Sequence, residues 1–161
     1  MKALMGPRAP YYGDHVELSD GGSDFASTVG IGGVVGSKFT WPLGVARKAE
    51  YDLTGDREQL LSKWLRIYLS HMLPTGEYLG DLYDIGFDRP EAHAIRRDSR
   101  LYYAFFAENW EGNVELRGLG EIPYVVRDYE NDSELGQVRG PVGALAVTFK
   151  GHLLLEATPD D

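Results

Sequence analysis

Two architectures joined end to end are what the sequence predicts, a helix-bearing segment first and an antiparallel β sandwich after it. Three observations carry this. Residues 101–107, 114–119, 124–129, 144–149 and 152–157 form short runs of aromatic and aliphatic residues of strand length. Turn-forming residues fall between them: Asn109 with Gly112 and Asn113, Gly118 with Gly120, the stretch 131–136, Gly140 to Gly143, and Lys150 with Gly151. Upstream the pattern changes to glycine-rich loop and helical periodicity, and this places a boundary near Pro74, with units 1–74 and 75–161.

The first element is a loop over 13–28, rich in Gly, Asp and Ser, followed at 29–35 by a short apolar strand or turn interrupted by Gly30, Gly32 and Gly33. These glycines do not sit at the offsets of a dinucleotide fingerprint, and 38–42 reads as extended, so close backbone packing explains them better than a nucleotide site. A helix follows, with Asp56 as its N-cap and Gln59 three residues on. Leu60, Leu61, Trp64, Leu65, Tyr68 and Met72 recur on one face, and Pro74 and Gly76 end it. That face needs a covering surface, and the residues before it offer only one short apolar strand, so an unpartnered helix is expected. Residues 76–99 read as a connector packed along the strand domain, too apolar for a free linker.

Bulk composition narrows the function classes. The 161 residues have 43% hydrophobic content, enough for a packed core. Twenty-five acidic against 16 basic residues give a net charge of −9, which argues against nucleic acid as a partner. The one dense basic group, Arg96, Arg97 and Arg100, reads as a solvated face or a set of local ion pairs. Cysteine is absent, which rules out disulfides and thiolate metal sites. No run approaches the ~20 apolar residues of a membrane span, and the first residues lack a secretory apolar core, so the default is a cytoplasmic protein without membrane contact. No cofactor and no metal site is expected.

Chemistry-bearing residues concentrate at Asp14, His15, Glu17, Asp20 and Asp24. Carboxylates beside an imidazole can bind sugar hydroxyls or move protons, although the spacing is not that of a calcium loop and composition alone favours a solvated acidic loop. Ser19, Ser27 and Ser99 lack a nucleophile turn, and His71, His93 and His152 stand singly. Trp64 belongs to the helix face, whereas Trp41, before Pro42, is the tryptophan best placed to face a ligand.

Three blocks then carry a likeness. They are Met-Gly-Pro-Arg-Ala-Pro-Tyr-Tyr-Gly-Asp-His-Val-Glu-Leu-Ser-Asp at 5–20 with Phe-Ala-Ser-Thr-Val-Gly-Ile-Gly-Gly-Val-Val-Gly at 25–36; Leu-Tyr-Asp-Ile-Gly-Phe-Asp-Arg-Pro-Glu-Ala-His at 82–93; and 101–107 through 114–119. Together they resemble the C-terminal portion of a bacterial α-galactosidase (melibiase), a retaining glycoside hydrolase. The resemblance implies that 1–74 are an α/β remnant, the last units of a (β/α)8 barrel, and that 75–161 are an all-β antiparallel sandwich domain. It implies a substrate, a terminal α-galactoside or other carbohydrate, and a partner, the missing N-terminal barrel segment. A retaining enzyme needs a nucleophile and an acid/base ~5 Å apart, and neither has a counterpart in this sequence, so no catalytic residue is assigned and the chain alone is expected to be inactive. Asp14 and His15 are the leading substrate-binding residues, with Glu17, Asp24 and Trp41 behind them. The alternative is a non-catalytic β sandwich that binds carbohydrate through exposed aromatics such as Trp110 or Tyr129, or one that serves only as a structural support.

Overall fold

The computed structural model describes residues 5–12, 16, 21–36 and 54–160. The strand runs pair into one six-stranded antiparallel sheet built from β1 (Glu77–Tyr78), β2 (Glu91–Arg97), β3 (Arg100–Arg117), β4 (Pro123–Asp128), β5 (Ser133–Arg139) and β6 (Val142–Pro159), in the order β1-β2-β3-β6-β4-β5. The connector read at 76–99 therefore contains two strands of the sheet. The runs 101–107 and 114–119 fall largely on the single strand β3, and 144–149 and 152–157 on the single strand β6.

The turn residues between those runs shape a bulge instead of a chain reversal. Ala107 pairs with Gly151 and Trp110 with Phe149, so two residues of β3 face one of β6. Gly151 sits there at φ +80, a conformation that glycine adopts without the steric cost a side chain brings. Beyond the bulge the ribbon turns back over the sheet. Val114 and Leu116 from its far half share one apolar cluster with Leu101, Tyr103 and Phe105 from its near half. The Tyr103 hydroxyl donates to the Arg117 carbonyl at 2.8 Å, and the Tyr83 hydroxyl donates to the Glu115 carbonyl at 2.6 Å. One antiparallel sheet thus forms both layers of the expected sandwich.

The opposite face of the near half carries two helices, α1 (Ser23–Gly30) and α2 (Gly55–His71). Residues 101–105 and 153–157 are consequently buried on both sides. Tyr102, Ala104, Leu154 and Ile95 meet Phe25, Ala26 and Val29 of α1 and Leu61, Trp64 and Ile67 of α2. The expectation of an unpartnered helix is corrected here, because the surface that covers α2 comes from the strands that follow it in the chain. The helix also starts earlier than Asp56, since Thr54 is the N-cap and its hydroxyl accepts from the Arg57 amide at 3.5 Å. It ends at Met72 in the left-handed conformation, followed by a short 3-10 turn over Leu73–Thr75 that holds Pro74.

Helix α1 forms where the sequence reads as loop and short apolar turn. It has no side-chain cap, and Gly22 precedes it at φ +96. Tertiary packing holds it: Phe25 stacks on Trp64 with centroids 6.2 Å apart, and a Cβ on Gly30 would lie 2.7 Å from that of Ala104. The glycine spacing therefore serves close packing, as expected. A parallel bridge joins Tyr11 to Gly33, with the Val34 amide donating to the Tyr11 carbonyl at 2.6 Å. The bridge lies on either side of α1 in the chain, with Tyr11 before the helix and Gly33 after it. Among the described residues no helix is long and apolar enough to cross a membrane.

Candidate functional site

Polar residues gather on the helix-covered face, where α2 meets the β4 and β6 edge of the near half. The strand alternation that sends Tyr124 and Val126 into the sandwich sends Val125, Arg127 and Tyr129 the other way, toward α2. On β6 the same alternation turns Leu155 inward and Glu156 outward. Helix α2 supplies Lys63, Arg66, Ile67, Ser70 and His71 on the facing side. Between them lies a cleft of about 730 Å³.

Its charges are mostly paired. Glu130 receives Lys63 Nζ at 2.6 Å and lies 2.7 Å from His152 Nε2. Glu156 Oε1 receives Arg100 at 2.7 Å and the Thr158 hydroxyl at 3.3 Å, and Arg127 reaches Asp132 at 3.0 Å. Burial alone would push the Glu130 carboxyl up, but the hydrogen bonds and charges of His152 and Lys63 together hold it below the usual range. Glu130 is therefore an acceptor at neutral pH and not a general acid. Burial pulls the His71 imidazole below its ordinary value against the opposing pull of Glu156. Its ring packs on Tyr129 at 4.7 Å and Tyr102 at 5.4 Å, while its backbone carbonyl accepts from Arg97. The Tyr129 hydroxyl is buried without a hydrogen-bond partner among the described residues.

A second polar line crosses the same face nearer α1. The Tyr78 hydroxyl lies 2.7 Å from His93 Nδ1, and His93 Nε2 lies 3.0 Å from Glu91. Burial lowers the His93 imidazole and pushes the Tyr78 phenol up to about 12. On the sandwich side Arg117 joins Asp88 through two nitrogens, at 2.9 and 3.2 Å, and Glu115 at 2.9 Å, clamping the loop before β2 onto the ribbon. The arginine cluster of the sequence resolves into ion pairs, Arg96 with Glu77, Arg97 with Asp98 and Arg100 with Glu156.

Of the residues proposed to bind substrate, Asp14, His15, Glu17 and Trp41 lie outside the described residues. Asp24 sits half-buried in the first turn of α1, where its carbonyl accepts from the Ser27 hydroxyl at 3.0 Å. It thus belongs to a helix and not to a loop. The two aromatics offered for sugar stacking differ in exposure. Tyr129 is buried against His71 and Tyr102, and Trp110 packs partly buried on the apolar cluster of the sandwich with its indole nitrogen covered. Glu156 and Glu130 are not singled out in the sequence, and His71 reads there as a lone histidine. The signal for Glu156 was a carboxylate set inside an apolar strand run, where an unpaired charge costs too much to occur by chance.

No family model matches the chain. A curated relative, the A type blood alpha-D-galactosamine galactosaminidase of Flavonifractor plautii, is 30% identical over 164 residues, and the match takes in 97% of this chain. This chain spans 14% of that relative's length. Among solved structures, alpha-galactosidase I from Mortierella vinacea superposes with a TM-score of 0.51 at 10% identity, over 91% of this chain and 39% of that one. A GH27 β-L-arabinopyranosidase from Geobacillus stearothermophilus gives 0.50 at 14% identity, over 85% and 29%. The structural likenesses speak for the fold, and the sequence match speaks for descent. By sequence the chain is related to a galactosaminidase, which agrees with the resemblance to a glycoside hydrolase that its three blocks carry.

Proposed function

We propose that this chain is the C-terminal part of a glycoside hydrolase that removes terminal α-linked galactose or galactosamine residues, and that it acts only together with a (β/α)8 barrel bearing the catalytic carboxylates. The single observation that carries this reading is the 30% identity sustained over 97% of the chain. The parallel bridge between Tyr11 and Gly33, with α1 between them in the chain, is compatible with the closing units of such a barrel. The antiparallel sheet, packed through α1 and α2 onto those units, would buttress them. Asp14 and His15 would then stand on the barrel rim, where they could hydrogen-bond the sugar.

The test has two arms. The isolated chain should not hydrolyse an aryl α-galactoside or α-galactosaminide. A chimaera in which it replaces the matching segment of the Flavonifractor relative should fold and hydrolyse the galactosaminide. Turnover by the isolated chain that disappears on Asp14→Asn would overturn the reading, as would a folded chimaera without activity.

A further inference from the structure

We propose that the end of the sandwich where Ile85, Phe87, Ile122 and Val142 stand exposed docks onto a further domain of the same polypeptide, one that offers an apolar centre and a basic rim. Eight large apolar side chains are exposed among the described residues, and these four belong to segments that meet around Arg117. Single exposed apolar side chains are ordinary, whereas a group of them with a polar rim marks an interaction surface. Arg117 grips Asp88, and with it the loop that carries Ile85 and Phe87. It also pairs across the ribbon with Val142, whose side chain therefore leaves the same face of the ribbon. Gly140 lies so near the Gly120 carbonyl that a Cβ there would collide with it, and Arg139 donates to the Glu121 carbonyl at 3.2 Å. These contacts bring Ile122 beside the turn that precedes Val142. Phe87 is 84% exposed, yet its backbone is fixed. The Asp84 amide donates to the Asp88 carboxylate at 2.8 Å, and the amides of Phe87 and Asp88 donate to the Asp84 carbonyl at 3.0 and 2.9 Å. The ring is thus held out uncovered on a loop that loses little freedom when a partner covers it.

Charge and chain length choose the occupant. Arg117 is spent on Asp88 and Glu115, and among the remaining rim charges Asp81, Asp84 and Glu121 outnumber Arg89 and Arg139. A second copy would set like charge against like on chains of net charge −9, whereas a basic rim complements this one. The matched segment is 14% of the Flavonifractor relative, so even a barrel of ~250 residues leaves most of that polypeptide to other domains. Helices α1 and α2, through which the sheet would buttress a barrel, lie on the other side of the central strands. The inference rests on the reading of this chain as part of a longer hydrolase.

The experiment compares the full chain alone with the chimaera in which it replaces the matching segment of the Flavonifractor relative, by hydrogen exchange and by galactosaminide hydrolysis. Exchange over 84–88 and 120–122 should slow at least tenfold in the chimaera. Phe87→Asp should restore the fast rate there and leave the denaturation midpoint of the isolated chain unchanged. An active chimaera whose loop exchanges as fast as in the isolated chain overturns this inference and spares the hydrolase reading. A folded chimaera that is inactive but protects the loop does the reverse. Sedimentation of the isolated chain needs no chimaera: the chain should be monomeric, and a dimer that Phe87→Asp dissociates would make a second copy the occupant and overturn the proposal. A lowered midpoint for Phe87→Asp in the isolated chain would also overturn it, because the ring would then serve this chain's own fold.

Discussion

The two faces of the central strands are buried by opposite means. Toward the sandwich, Leu101, Tyr103, Phe105, Leu153, Leu155 and Ala157 meet Val114, Leu116, Tyr124 and Val126, and the polar atoms involved are mostly tyrosine hydroxyls satisfied by backbone carbonyls. Toward the helices, the same strands meet Phe25, Val29, Trp64 and Ile67, but also His71, His93, Tyr129, Glu130 and Glu156. An apolar face closed by its own ribbon has nothing to release and nothing to recognise. The helix face holds buried histidines and carboxylates whose partners come from separate elements, so titration near neutral pH is expected there.

The largest effect should come from testing which face organises the fold. Phe105→Ala empties the sandwich core and is expected to cost about 3–5 kcal/mol, with loss of amide protection throughout β2, β3 and β6. Trp64→Ala removes as large a side chain from the helix face, with a cost in the same range of about 3–5 kcal/mol. Its damage should be local, with exchange accelerating over 55–71 and 23–30 while 101–105 and 153–157 stay protected. If Trp64→Ala deprotects the strands as fully as Phe105→Ala does, the two faces form one cooperative unit and the contrast fails.

A smaller change sharpens the picture of how α1 is held. Gly30 lies so near the sheet that an added Cβ would sit 2.7 Å from Ala104 Cβ and 3.0 Å from Leu154 Cδ2. Alanine is the better helix former in isolation, yet here Gly30→Ala should destabilise by about 1–3 kcal/mol through overpacking. Chemical denaturation would show it as a lower midpoint with an unchanged slope. A stabilised Gly30→Ala would mean that helix propensity, and not close approach to the sheet, decides this segment.

These cases show what the sequence could reveal. The strand runs and the α2 stripe are local patterns, and they were legible because alternation and helical spacing write themselves into consecutive residues. The bulge at Ala107 was read as a hairpin because Asn109, Gly112 and Gly151 are turn residues in either case, and only pairing across 40 residues distinguishes a bend from a reversal. Helix α1 escaped because it has no cap and only two turns, so its stability resides in contacts with Trp64 and Ala104. The cleft was illegible for the same reason: His71, Tyr129 and Glu156 come from α2, the end of β4 and β6, and no spacing rule connects them.

The smallest expected effect, and the one most specific to the helix face, is a dependence of stability on pH. His71 and His93 are both held below their ordinary value, chiefly by burial, while the unfolded chain titrates near 6.5. Between those values the unfolded state binds more protons than the folded one, so stability is complete above about pH 6.5 and declines as pH falls through the folded values. Asp88 and Glu130, held below the usual carboxylate range, add a loss only in the lower window beneath about pH 4.5. Melting temperature should therefore drop between pH 7.5 and pH 5.5 before any carboxylate titrates. His71→Gln with His93→Gln should flatten that part of the profile, even if the double variant starts from a lower value. Among the described residues, Glu156, Arg97 and Arg100 act on His71, and Glu91 and Tyr78 face His93. A profile that is level from pH 7.5 to 5.5 in the parent chain, or one that keeps its slope in the double variant, would place the titrating groups elsewhere and remove the chemical distinction between the two faces.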